Sequence, residues 1–167
     1  VTNTASENVT ALFRFKQGVL VGDQAMALEL NDVLANSVTQ NARGAGAGVE
    51  GFETVNLEAL NGVDLANLSV NEMEALIVTG SNDLKIAALT QAASPVLGVG
   101  AVAEFTALGA AGINNPGAVG LLNLDASAFT GNLTLDITNS LGGFADPANS
   151  GQTVHGVVTG GSGDDTF

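Results

Sequence analysis

Apolar and polar residues alternate at period two along much of this chain, the pattern of strands with one buried face. Val9, Ala11, Phe13 and Phe15 alternate with Thr10, Leu12 and Arg14, which predicts a strand near the start. Gly18 and Gly22 then bracket the apolar run Val19-Leu20-Val21. Over 23–35, Met26, Leu30, Val33 and Leu34 recur at helical spacing behind Asp23 as an N-cap, which predicts a helix. The same stretch also reads as alternation through Met26, Leu28 and Leu30. Residues 1–43 are therefore expected to form a short N-terminal α/β segment or cap, with 44–51 a Gly/Ala linker.

From residue 52 the pattern repeats. Phe52-Glu53-Thr54-Val55-Asn56-Leu57 aligns with Met73-Glu74-Ala75-Leu76-Ile77-Val78 at an offset of 21 residues, and Leu65 matches Ile86 at the same offset. A third copy runs Leu121-Leu122-Asn123-Leu124, turns through 126–131 and continues over 132–137. A fourth starts at Val154 and shares Val-Thr-Gly with the second, at 158–160 and 78–80. A repeat of about 20 residues built from short strands and turns predicts a solenoid, because one unit cannot bury its apolar face without a neighbour. The near-continuous runs Leu76-Ile77-Val78 and Leu121-Leu122 suit parallel strands. The Ala/Gly-rich stretch 88–118 and the stretch 140–152 break the period and read as inserted loops. Short helical turns around 86–93 or 102–108 are an alternative within the first of them. The expected architecture is all-β, an irregular β-solenoid over 52–167 with inserted loops.

Composition narrows the function. Hydrophobic residues make up 46% of the 167, enough for a core, while 4 Lys+Arg against 17 Asp+Glu leave a net charge of −13. So few cations cannot neutralise a phosphate backbone or hold an anionic membrane surface, which argues against nucleic acid and lipid and leaves inorganic cations as natural partners. The absence of cysteine removes thiol nucleophiles, disulfides and thiolate metal sites, and a single histidine, His155, argues against zinc or iron. No apolar run reaches the roughly 18 residues that predict a membrane-spanning helix. The chain opens on Val1 with no signal segment, so it is expected to be a processed chain or an excerpt of a longer one.

The sharpest motif is Gly160-Gly161-Ser162-Gly163-Asp164-Asp165-Thr166-Phe167, which fits the calcium-binding pattern G-G-x-G-x-D-x-U less its last position. Glycines let the backbone turn tightly and expose carbonyl oxygens, and the aspartate adds an anionic oxygen suited to hard calcium. Calcium takes six to eight oxygens, so one such turn is half a site and stacked turns must share each ion. Together with Leu124-Asp125-Ala126-Ser127-Ala128-Phe129-Thr130-Gly131-Asn132-Leu133-Thr134, this ending resembles the repeat-toxin (RTX) solenoids of bacterial surface-layer proteins, over residues 52–167. That resemblance implies a right-handed parallel β-solenoid (β-helix or β-roll), export in one step, calcium-dependent folding and assembly into a layer on the cell surface. It also implies calcium ligation by Gly160, Ser162, Gly163 and Asp165, with further motif copies expected after Phe167. The copy Gly80-Ser81-Asn82-Asp83 departs from the pattern by lacking two glycines.

Other motifs read more simply. Gly46, Gly48 and Gly51 satisfy G-x-G-x-x-G, but a strand-like segment follows where a nucleotide site needs a helix, so the stretch reads as linker. His155 could serve Ser162 as a base, yet Asp164 stands where a G-x-S-x-G elbow needs its last glycine. The pairs Glu72/Glu74 and Asp164/Asp165 imitate a glycosidase dyad, as chance pairs in an acidic chain do. Asn8, Asn67 and Asn132 head glycosylation sequons. The expected protein is not an enzyme. It is a secreted structural protein of the bacterial surface or extracellular matrix, a homo-oligomer forming an S-layer or filament with calcium, and a cell-surface polysaccharide is a further candidate partner. Two rivals remain. One is a fragment of a secreted β-helix lyase, epimerase or hydrolase acting on polysaccharide, for which Lys85 is the one cation after residue 51. The other is an adhesin binding a glycan or host protein through 88–118 and 140–152.

Overall fold

The computed structural model describes residues 10–15, 19–20, 24–42, 51–70, 73–90, 121, 123–137 and 157–167. Among them the protein is all-β, with no helix, and its strands form two parallel sheets. The first sheet carries β1 (Thr10–Phe15), β3 (Val33–Ala42), β5 (Val63–Ser69), β7 (Leu84–Ile86) and β10 (Leu133–Leu135) in that order, with β8 (Leu89–Thr90) also paired to β5. The second carries β2 (Ala25–Leu30), β4 (Thr54–Ala59), β6 (Ala75–Gly80), β9 (Asn123–Asp125) and β11 (Val157–Thr159) side by side. The chain thus visits the two sheets in turn.

Alternation explains the individual strands. In β4, Val55, Leu57 and Ala59 are buried while Asn56 and Glu58 stay exposed. Each buried residue lies over its counterpart in the next strand: Val55 pairs with Leu76, Leu57 with Val78, and Leu65 with Ile86. The 21-residue offset read from the sequence is therefore the register of the ladders between β4 and β6 and between β5 and β7. Stacking builds continuous apolar columns such as Met26–Val55–Leu76–Leu124 and Val33–Val63–Leu84–Leu133. Each fully buried Leu, Val or Ile contributes roughly 1.5–3 kcal/mol through loss of apolar surface from water. In the first sheet the buried positions step by three, from Leu65 to Leu68 and from Ile86 to Leu89, so the chain bends there and keeps its apolar side inward.

Three expectations are corrected. The helix over 23–35 is two strands: Met26, Leu28 and Leu30 share one face of β2 and stack on Val55, Leu57 and Ala59. Asp32, at φ 50°, then turns the chain through the left-handed region into β3, which no helix could pass. Asp23 lies outside the described residues. The loop expected from residue 88 begins later, because Leu89 is buried in β8 against Leu68, and Ile86 ends a strand rather than starting a helical turn. Residues 91–120 and 138–156, which hold the rest of both expected loops, lie outside the described residues, as does the linker over 44–51 apart from Gly51. Finally, the shared Val-Thr-Gly is out of register. Val158 lies over Leu124 and through it over Leu76, not Val78, because the turns after these strands differ in length.

Candidate functional site

The chain passes from the second sheet to the first through a short polar turn, and five such turns stack: 31–32, 60–62, 81–83, 130–132 and 162–164. Asn61 Nδ2 donates to Asn31 Oδ1 at 2.6 Å, and the Asn82 amide donates to the Leu60 carbonyl. A Cβ on Gly131 would run into the Asn82 carbonyl, and one on Gly163 into the Gly131 carbonyl, so the column continues upward at closest approach. One position later a second column runs beside it. The Asn132 N–H donates to Asp83 Oδ1 at 3.2 Å, and the Asp164 N–H donates to Asn132 Oδ1 at 3.0 Å. In both cases a short side chain from one repeat satisfies a backbone N–H of the next, the competence that makes Asn and Asp turn residues.

The four residues expected to hold calcium sit in the last of these turns. The Asp165 carboxylate accepts from the Gly161 N–H at 2.6 Å through Oδ2 and from the Leu133 N–H at 3.2 Å through Oδ1. Gly160 lies against the same carboxylate, where a Cβ would come within 2.7 Å of Oδ2. The Ser162 N–H donates to the Phe129 carbonyl at 3.0 Å and its side chain faces solvent. Gly160 and Asp165 are thus brought together, while Ser162 and Gly163 are set by contact with the turn beneath. Asp165 also changes the ladder. Val63 and Leu84 donate their N–H groups to the carbonyls of Asp83 and Asn132, but Leu133 donates to a carboxylate instead. Each Asp165 oxygen carries one N–H and keeps acceptor capacity for a cation. The glycines at 160, 161 and 163 also have a stacking role of their own, since any side chain there meets a neighbouring atom.

The degenerate copy 80–83 is the same turn two repeats earlier, with Asp83 already engaged by Asn132. Sequence reasoning missed the Asn/Asp columns as a whole. Their signal was present, since Asn31-Asp32, Asn61-Gly62, Asn82-Asp83 and Asn132 each stand just before an apolar residue that starts a strand. Elsewhere, Asp125 accepts from the Ser127 N–H at 2.9 Å, and hydrogen bonds from the Ser127 hydroxyl and N–H hold its carboxyl below the ordinary carboxylate range. Lys85 pairs with Asp64 at 3.0 Å on the exposed side of the first sheet. In the Asp164/Asp165 pair, Asp164 is exposed while Asp165 folds back onto Gly161. His155, Glu72 and Asn8 lie outside the described residues. Asn67 Oδ1 accepts from the Thr90 hydroxyl at 3.0 Å, and Asn132 is committed to the turn. Among the described residues no group of three His, Asp or Glu side chains converges on one point. No family profile matches this chain, and neither does any curated protein or solved structure.

Proposed function

We propose that the two sheets are walls of a right-handed parallel β-solenoid, and that the protein is a non-catalytic structural component of a bacterial surface or extracellular matrix. It self-associates into a layer or filament, with calcium ordering the turn at 160–165. Secretion and a place at the cell surface belong to this reading through the RTX-like character of that turn. The observation that carries it is the position of Asp165. Its carboxylate sits in a glycine turn stacked on four earlier turns, in the layer where β11 has only β9 beside it among the described strands. A hard cation there gains oxygens when another layer is placed against the turn, which couples ion binding to assembly. The charge of −13 acts in the same direction, because cations bound to the folded form relieve its self-repulsion.

The test is a comparison of ions on the full chain. Millimolar calcium should raise the thermal midpoint and promote ordered multimers visible by electron microscopy. Magnesium, which needs a smaller octahedral cage, should do much less. Asp165→Ala should abolish most of the calcium response, and Asp125→Ala, outside the glycine turn, should retain it. Equal behaviour of the two variants, or full replacement of calcium by sodium chloride at matched ionic strength, would reduce the effect to screening and defeat the reading.

A further inference from the structure

We infer that Asn61 is a self-modifying residue: its side chain cyclises onto the Gly62 nitrogen, releases ammonia and leaves aspartate or isoaspartate within the turn column. The inference stands apart from calcium and self-association. Asn61-Gly62 is the one Asn-Gly pair among the 167 residues. The reaction needs a backbone free to bring the Gly62 nitrogen onto the Asn61 Cγ, and glycine hinders that approach least. The turn supplies this setting. Asn61 and Gly62 are both exposed, and nothing lies within 4 Å of where a Gly62 Cβ would stand. The other asparagines of the turns are placed differently. Asn31 and Asn82 are half-buried, and each is followed by an aspartate. Asn132 is exposed, but the nitrogen that would attack it, that of Leu133, already donates to the Asp165 carboxylate at 3.2 Å. Within β5, Asn67 is held in the same way, because the Leu68 N–H donates to the Ala88 carbonyl at 3.0 Å.

The steps balance with water as the only co-reactant. The Gly62 nitrogen gives its proton to a solvent base and attacks the Asn61 Cγ. The Cγ–Nδ2 bond breaks and Nδ2 leaves as ammonia. Water then opens the succinimide ring. Opening at Cγ gives aspartate, and opening at the backbone carbonyl gives isoaspartate, whose main chain runs through Cβ and Cγ and is one carbon longer. Either product turns an amide into a carboxylate and makes a chain of net charge −13 more acidic by one unit. Either also removes the Nδ2 that donates to Asn31 Oδ1 at 2.6 Å. The longer backbone disturbs more. On one side of the turn the Leu60 carbonyl accepts from the Asn82 amide, and on the other the Gly62 carbonyl accepts from the Val33 N–H at 3.2 Å. The Val63 N–H then donates to the Asp83 carbonyl at 3.0 Å, with the valine side chain buried. An extra carbon between Leu60 and Val63 cannot keep all three bonds, so isoaspartate loosens the turn from both neighbouring repeats.

The test ages the full chain at mildly alkaline pH, folded and in urea. Conversion is read by anion exchange and peptide mapping, with isoaspartate labelled by a methyltransferase specific for it. The folded chain should convert at Asn61 ahead of Asn31, Asn82 and Asn132, and its isolated isoaspartate form should unfold at lower urea than the parent. Gly62→Ala separates chemistry from folding, because a Cβ there meets nothing within 4 Å. That variant should keep the parent urea midpoint yet convert about tenfold more slowly, a barrier higher by about 1.4 kcal/mol. Asn61→Asp carries the charge without the extra carbon and should unfold between the parent and the isoaspartate form. An Asn61 that converts in urea but stays intact in the folded chain would overturn the inference. So would equal conversion at Asn31 or Asn82, or an unchanged rate in Gly62→Ala. An isoaspartate form with the parent's urea midpoint would show that the turn tolerates the longer backbone, and would overturn the loosening.

Discussion

The repeats of β4 to β7 and the layer of β11 use the same columns with opposite results. Val55, Leu76 and Leu124 are fully buried, and Val158, next in line above them, is more than a third exposed. Residue type does not explain the difference, since Val55 and Val158 are both valines. A neighbour on each side does. Along a column a side chain is covered by the residues paired on either side of it, and among the described strands Val158 has such a partner on one side only. The last layer also trades apolar material for polar: Asp165 stands where Leu133, Leu84, Val63 and Val33 stand in the column below.

The largest test of that contrast is truncation within one column. Leu76→Ala should cost about 2–5 kcal/mol in urea denaturation, from lost burial and the cavity left behind. Val158→Ala should cost no more than about 0.5 kcal/mol, as at an ordinary surface position. Similar losses at the two sites would mean the columns are not continuous. A smaller effect separates two turn glycines. Gly80 has φ 128° and a Cβ there would strike the Ala59 carbonyl, whereas nothing lies within 4 Å of a Cβ on Gly62. Gly80→Ala should therefore lose about 1–3 kcal/mol, the cost of backbone strain, while Gly62→Ala should leave the urea midpoint nearly unchanged. The smallest effect concerns pH. The Asp125 carboxyl is held below its ordinary value of 3.8 by the Ser127 hydroxyl and N–H, so the unfolded chain takes up its proton more readily than the folded one. Its contribution is complete above the ordinary carboxylate pKa and is lost as pH falls through the lower folded value. Thermal midpoints at pH 7 and pH 3 should differ less in Asp125→Ala than in the wild type.

The columns were legible wherever the repeat was short. Between β4 and β6 no residue is inserted, so matching Phe52–Leu57 to Met73–Val78 as text also matched the hydrogen-bonded partners. Val-Thr-Gly misleads, because its two copies stand at different positions along their strands, Val158 in the column of Leu76 rather than Val78. Turns of unequal length shifted the strand, and register follows the buried face rather than the closest spelling. The stretch 23–35 failed for a related reason. Its apolar residues satisfy helical and strand spacing alike, and local propensity does not choose between them.

What the sequence determined by itself was the all-β class, the short-period repeat and the glycine turn ending in Asp165, because period-two alternation and glycine punctuation are local properties of the chain. Only the tertiary structure decided that β2 is a strand, since its apolar face is satisfied by stacking on Val55, Leu57 and Ala59 of a strand 29 residues further on. It also decided that Asn31, Asn61, Asp83 and Asn132 form columns linking one turn to the next, and that Asp165 accepts from Leu133 in the layer below. Those are contacts between residues 30 or more apart, and a backbone N–H finds such an acceptor only when the intervening chain has returned to the same height in the stack.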